Sequence, residues 1–249
     1  NNFGFPLAFD PSKMDTTVDP RQDFARYAAG RWLDVATIPG DSPYINGIVL
    51  MTRRVERQVD ELLADAAGKR AEVAAVTESA MRGELDFSQS LRARVETLTG
   101  LPESVIESTY ARITLTEGAK ELIEAIHARG GTAAAVSGGF NQLLEPLAER
   151  LGLDFWRANE LEVVGGTLTG QVAGRIIDRQ AKADALVEWS EELGLLPSRA
   201  IAVGDGANDL AMMEVAGIGV AFNAKPKVRA AAELSAGSQD LRELIALLH

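Results

Sequence analysis

Between Ala200 and Met213 the chain reads Ala-Ile-Ala-Val, then Gly-Asp-Gly-Ala-Asn-Asp, then Leu-Ala-Met-Met. A short apolar run bounded by a glycine turn reads as a strand buried on both faces. Such strands belong to parallel sheets covered by helices. The turn carries two carboxylates, Asp205 and Asp209, at the strand's C-terminal end, where open parallel sheets gather ligands. Paired carboxylates with small neighbours suit Mg²⁺, which takes oxygen ligands and keeps waters and phosphate oxygens. The same letters also fit a strand-to-helix turn with capping aspartates.

A second unit repeats the pattern. Gly131-Thr132-Ala133-Ala134-Ala135-Val136 ends in Ser137-Gly138-Gly139-Phe140, and a helix-like run follows from Asn141 to Leu151. A hydroxyl and two glycines at a helix start can cradle a phosphate with free backbone N–H groups, or form a plain glycine turn. Further on, Asp178-Arg179-Gln180-Ala181-Lys182 sets a lysine early in an amphipathic segment, either facing phosphate or solvated. Strand-then-helix alternation from about Gly118 onward predicts parallel α/β units. An antiparallel pair near Leu161–Val172 is predicted to turn at Gly165-Gly166.

Hydroxyl-glycine, lysine and Gly-Asp-Gly-x-Asn-Asp, in that order, resemble the haloacid dehalogenase superfamily. The stretches Ala80–Phe87, Ser90–Val95, Val136–Phe140, Ala158–Leu161, Gly166–Gly170 and Ala221–Pro226 resemble its phosphoserine phosphatases, from about residue 58 onward. The resemblance implies an α/β fold, a Rossmann-like parallel sheet with helices on both faces, plus a small helical cap. It implies Mg²⁺-dependent conversion of L-phosphoserine, a small phosphomonoester, to L-serine and phosphate. By the same resemblance Asp205 and Asp209 organise the metal, and Ser137 with Gly138 holds the phosphate. Lys182 neutralises charge, Asn208 positions the group, and Arg94, Met81 and Phe87 meet the substrate. Lys182 and Asp205 are the expected catalytic residues.

Phosphatases of this kind open with an apolar strand ending in Asp-x-Asp, whose first carboxylate attacks phosphorus. A gapless count from the cap puts those positions at Val49 and Met51, and a substrate-amine glutamate at Gln58. Neither Val49 nor Met51 can attack, ligate Mg²⁺ or move a proton. Turnover is therefore expected to be slight or absent, and Mg²⁺ binding weakened.

Residues Phe9–Leu33, continuing to about Val59, are similar instead to the N-terminal segment of neprilysin-type zinc metallopeptidases. A zinc site of the His-Glu-x-x-His kind is missing, since the two histidines are His127 and His249. Zinc peptidase chemistry is excluded on ligands alone. Asp19, Pro20 and Gln22 fit a helix start, with Phe24, Tyr27, Ala28 and Trp32 on one face. The expected division is a metallopeptidase-like segment over 1–57, a helical cap over 58–113, and a core over 114–249 without its own first strand. Such a chain reads as a fusion.

An empty central slot would forfeit about ten ladder hydrogen bonds at ~1 kcal/mol each, against a total stability of only ~5–15 kcal/mol. Ile45–Met51 is the nearby candidate to fill it, with β-branched Ile48 and Val49 suited to a strand. Its apolar spacing within 45–66, and its peptidase likeness, read instead as helix. If the strand forms, Asp at 49 and 51 would be expected to lie beside Asp205.

Composition sets the remaining limits. The 249 residues carry net charge −11, with 25 basic against 36 acidic side chains, so neither a nucleic acid nor an anionic membrane is an expected partner. With no cysteine, disulfide and thiolate chemistry are excluded. No signal-like or membrane-spanning run is read, and a cytoplasmic location is the expectation. The oligomeric state is left open.

Overall fold

The computed structural model describes residues 47–50, 63–65, 68–82, 84–237 and 239–248. Its centre is a seven-stranded sheet in the order β4-β3-β2-β1-β5-β6-β7. The strands are β1 (Gly47–Leu50), β2 (Thr132–Phe140), β3 (Phe155–Val164), β4 (Thr167–Ala173), β5 (Ala200–Gly204), β6 (Ile218–Phe222) and β7 (Leu234–Ala236). Neighbours pair in parallel except β3 and β4, which pair antiparallel. The expected parallel α/β architecture is present.

The apolar strands alternate between two helical layers, as a period of two requires. Ala133, Ala135, Ile201 and Val203 pack under α4 (Ala119–His127) and part of α5 (Asn141–Leu151). Ala134, Val136, Ala200 and Ala202 pack under α6 (Arg179–Glu192) and α7 (Leu210–Val215). The α6 side of both strands is nearly all alanine. Small side chains let the helix sit close, and that brings its first turn to the strand ends.

A third apolar cluster joins α2 (Phe87–Glu96) and α3 (Ser104–Tyr110) to α5 and the β3–β4 hairpin, through Leu91, Val95, Ile106, Leu143 and Leu168. With α1 (Arg70–Met81) these helices form the cap-like part. Helix α2 starts on a capping box. Asp86 Oδ1 accepts from Gln89 N at 2.8 Å, and Gln89 Oε1 accepts from Asp86 N at 2.9 Å. The hairpin turns at Gly165 and Gly166, with φ of 60° and 74°. Two positive values in succession are what a tight two-residue hairpin turn demands. A last helix, α8 (Pro226–Ala231), precedes β7.

The helical reading of residues 45–66 fails at Gly47–Leu50. These four form β1, hydrogen-bonded in parallel to β2 on one side and β5 on the other. Pairing on two edges outweighs a local apolar spacing that fits either period, because each ladder bond left open in a buried sheet is costly. The slot expected to lack its strand is thus filled, by residues counted with the N-terminal segment. The predicted helix over 19–34 lies outside the described residues, as do Met51 and Gln58.

Candidate functional site

The site is built where β2 and β5 end. Leu50 of β1 stands level with Ala135 of β2 and Val203 of β5. Ser137 and Asp205 each follow two residues later on strands that run the same way. Both leave the sheet from the same edge, on opposite sides of β1.

Beyond β5 the backbone turns at Gly204, and Asp209 folds back under it. A Cβ at Gly204 would lie 2.5 Å from Asp209 Cβ, so only glycine admits this approach. Asp209 is fully buried. Its Oδ2 accepts from the backbone N of Gly206 at 3.0 Å and of Asp205 at 3.2 Å. Its Oδ1 meets Lys182 Nζ at 3.1 Å, with both side chains 0% exposed.

Lys182 reaches this point because α6 begins at the right place. Asp178 caps the helix by accepting from Ala181 N at 2.9 Å, and Lys182 sits one turn in. A buried ammonium is costly unless paired, and Asp209 supplies the pairing. Of the two roles the sequence left open for Lys182, the solvated one is excluded.

Asp209 meets an ammonium through one oxygen and two backbone amides through the other. It acts as the brace that fixes Lys182 and the Asp205 turn together. Asp205, half-buried, offers a carboxylate at the strand end. Among the described residues no group of three or more His, Cys, Asp or Glu gathers as a metal cluster. One carboxylate with waters and a phosphate suits weak Mg²⁺ binding, and the donor set fits Mg²⁺ on those terms.

On the β2 side, Ser137 is buried, and its Oγ accepts from Gly139 N at 3.0 Å. The β2–β3 register slips between Val136 and Phe140: β2 advances four residues while β3 advances two, from Arg157 to Asn159. Ser137, Gly138 and Gly139 therefore bulge out of the ladder. Asn159, 0% exposed, fills the gap. Its Nδ2 donates to Gly138 O at 2.9 Å and Gly139 O at 3.2 Å, and its Oδ1 accepts from Ile177 N at 2.8 Å. Sequence reasoning gave Asn159 no role. The signal was there, since asparagine is depleted in strands and this one lies within β3.

The remaining expected residues are spread more widely. Asn208 lies half-exposed in the turn between Asp205 and Asp209. Arg94 is on the last turn of α2, with its Nε donating to Ser90 O at 3.2 Å. Phe87 opens α2, half-buried against the cap cluster, and Met81 ends α1. These three belong to the cap-like part.

The counted nucleophile position also shifts. Val49 stands level with Ala134 and Ala202, three residues short of Ser137 and Asp205. At 3.3 Å per residue along an extended chain that is about 10 Å below their level. The position reached by the gapless count therefore lies inside β1, below the level of Ser137 and Asp205.

Comparison with known proteins places the chain by sequence and fold. A family model for haloacid dehalogenase-like hydrolases matches residues 33–214. A phosphoserine phosphatase of Streptococcus thermophilus is 47% identical over 207 residues, covering 82% of this chain and 96% of that protein. One from Mycobacterium tuberculosis is 47% identical over 194 residues, covering 78% of this chain, which spans only 47% of that longer protein. A solved phospho-aspartyl intermediate analogue of phosphoserine phosphatase superposes with TM-score 0.75 at 39% identity, over 82% of this chain and 99% of that one. The chain belongs to the haloacid dehalogenase-like hydrolases, among the phosphoserine phosphatases.

Proposed function

We propose that this chain is a phosphoserine-phosphatase-type scaffold that binds a small phosphomonoester or phosphate but turns it over little or not at all. The observation that carries the binding half is the buried Lys182–Asp209 pair, set at the sheet edge from which the Ser137–Gly139 turn also emerges. In this reading the turn receives the phosphate oxygens through its N–H groups, and Lys182 offsets their charge. Asn208 steadies the bound group, and Arg94, Met81 and Phe87 contact the rest of the substrate from the cap. Asp205 would hold Mg²⁺, which when bound neutralises phosphate charge.

The impaired half rests on β1. Its residues, Gly47-Ile48-Val49-Leu50, include no carboxylate, whereas covalent phosphoryl transfer needs an activated nucleophile. A missing general acid alone removes about 10²–10⁴-fold in rate. In the same reading, the peptidase-like likeness of residues 8–57 marks a fusion that contributes a strand and no chemistry. The filled strand slot favours a folded binding scaffold over a broken core.

The test pairs two assays on the full chain with Mg²⁺: phosphate release from L-phosphoserine, and calorimetric titration with inorganic phosphate. The expected result is binding with no release above buffer. Sustained release lost in Asp205→Asn would overturn the impaired half, and absence of any binding would overturn the other.

A further inference from the structure

We propose that Asn159 is a positioning residue that sets the Ser137–Gly139 turn against the start of α6, and so fixes the phosphate cradle relative to Lys182. The inference rests on the binding reading above and goes beyond it by assigning the part that joins its two halves.

The geometry makes one side chain do this. The Asn159 amide donates twice to β2, at Gly138 O and Gly139 O, and accepts once from Ile177 N. Ile177 directly precedes Asp178, the cap on which Lys182's helix begins. An asparagine side chain has two N–H donors and one carbonyl oxygen, and all three functions are engaged here with no exposure to water.

The two carbonyls matter for what lies behind them. In a planar trans peptide the C=O and the following N–H point in opposite directions. Turning Gly138 O and Gly139 O toward Asn159 therefore turns the N–H groups of Gly139 and Phe140 away from β3. Gly139 N meets Ser137 Oγ on that far side. Asn159 thus orients N–H groups it never touches, from behind a bulge where the ordinary strand ladder is interrupted.

The test compares the full chain with Asn159→Ala, Asn159→Asp and Leu244→Ala, the last a truncation of a side chain buried in the α4 layer. Inorganic phosphate is titrated by calorimetry, and amide hydrogen exchange is followed in the same proteins. Both Asn159 variants should bind phosphate about tenfold more weakly or worse, since small misplacements of positioned groups carry penalties of this size. Leu244→Ala should keep its affinity although it is destabilised. Asn159→Asp retains an acceptor for Ile177 N, so Ile177 should stay protected there while Gly139 exchanges faster. That combination separates positioning from stability.

Phosphate affinity in the Asn159 variants equal to that of Leu244→Ala would overturn the proposal. Should the parent chain bind no phosphate, the binding reading falls and exchange decides this one alone. Joint opening of Gly139 and the first turn of α6 in Asn159→Ala supports it, and opening of Ile177 by itself overturns it. Should Asn159→Ala fail to fold, Asn159→Asp carries the same comparison.

Discussion

Lys182 Nζ and Asp209 Oδ1 stand 3.1 Å apart with neither side chain reached by solvent. The pair locks α6 to the turn after β5, and each partner makes the other's burial tolerable. Removing one partner leaves a buried charge uncompensated. Lys182→Ala should therefore cost about 3–5 kcal/mol of stability, read as a lower urea midpoint. The double change Lys182→Met with Asp209→Asn should cost less than the sum of the two singles. Additive losses would mean that the two side chains do not act as a pair.

Gly204 makes the same turn possible from the backbone side. A methyl group there would stand 2.5 Å from Asp209 Cβ, closer than two carbons can approach. Gly204→Ala should destabilise by about 1–3 kcal/mol, the usual range for overpacking, and weaken phosphate binding as Asp209 is pushed from Lys182. Unchanged phosphate affinity in a calorimetric titration would count against the brace role of Asp209.

Placing carboxylates on β1 should not repair the site. Val49 lies three residues short of the level of Asp205. The change Val49→Asp should lower the melting temperature, because the 49 position lies mid-sheet where a charge is costly. Added Mg²⁺ should not recover it. A Mg²⁺-dependent rise of several degrees would show that a carboxylate at 49 reaches the metal, against the register of β1.

Away from the site, Arg157 holds β3 to α6 by a two-pronged contact with Glu188, at 2.7 and 3.0 Å. The guanidinium hydrogen bond keeps the Glu188 carboxyl below its ordinary titration range. A carboxylate whose folded value is depressed contributes stability above its unfolded value, and loses it as pH falls through the folded one. Glu188 is largely exposed, so a double-mutant cycle with Arg157 should yield only about 0.2–1 kcal/mol at neutral pH. That coupling should fade as pH falls through the ordinary glutamate range and below it. A coupling that persists in acid would contradict the ionic account.

What the letters disclosed and what they withheld divides along physical lines. β2 and β5 were legible because each is an apolar run closed by glycine, and the hairpin because two adjacent glycines announce its turn. The places of Lys182 and Asp205 at the sheet edge were legible from spacing and resemblance. The partners of Asp209 were not, since nothing in a sequence shows which donors its two oxygens meet. β1 was ambiguous for another reason. Four apolar residues satisfy both periodicities, and only the two open strand edges beside them decide between strand and helix. Asn159 stood in view as a polar residue in a strand, but its partners lie 18 to 21 residues away in sequence.

The central claim, binding without turnover, is tested most directly by phosphorus NMR of L-phosphoserine mixed with the full chain and Mg²⁺. One spectrum series reads both halves. The account predicts that the phosphoserine resonance broadens or shifts with added protein while no inorganic phosphate signal grows. A phosphate signal that rises steadily past the protein concentration, or a phosphoserine line that protein leaves unchanged, would contradict it.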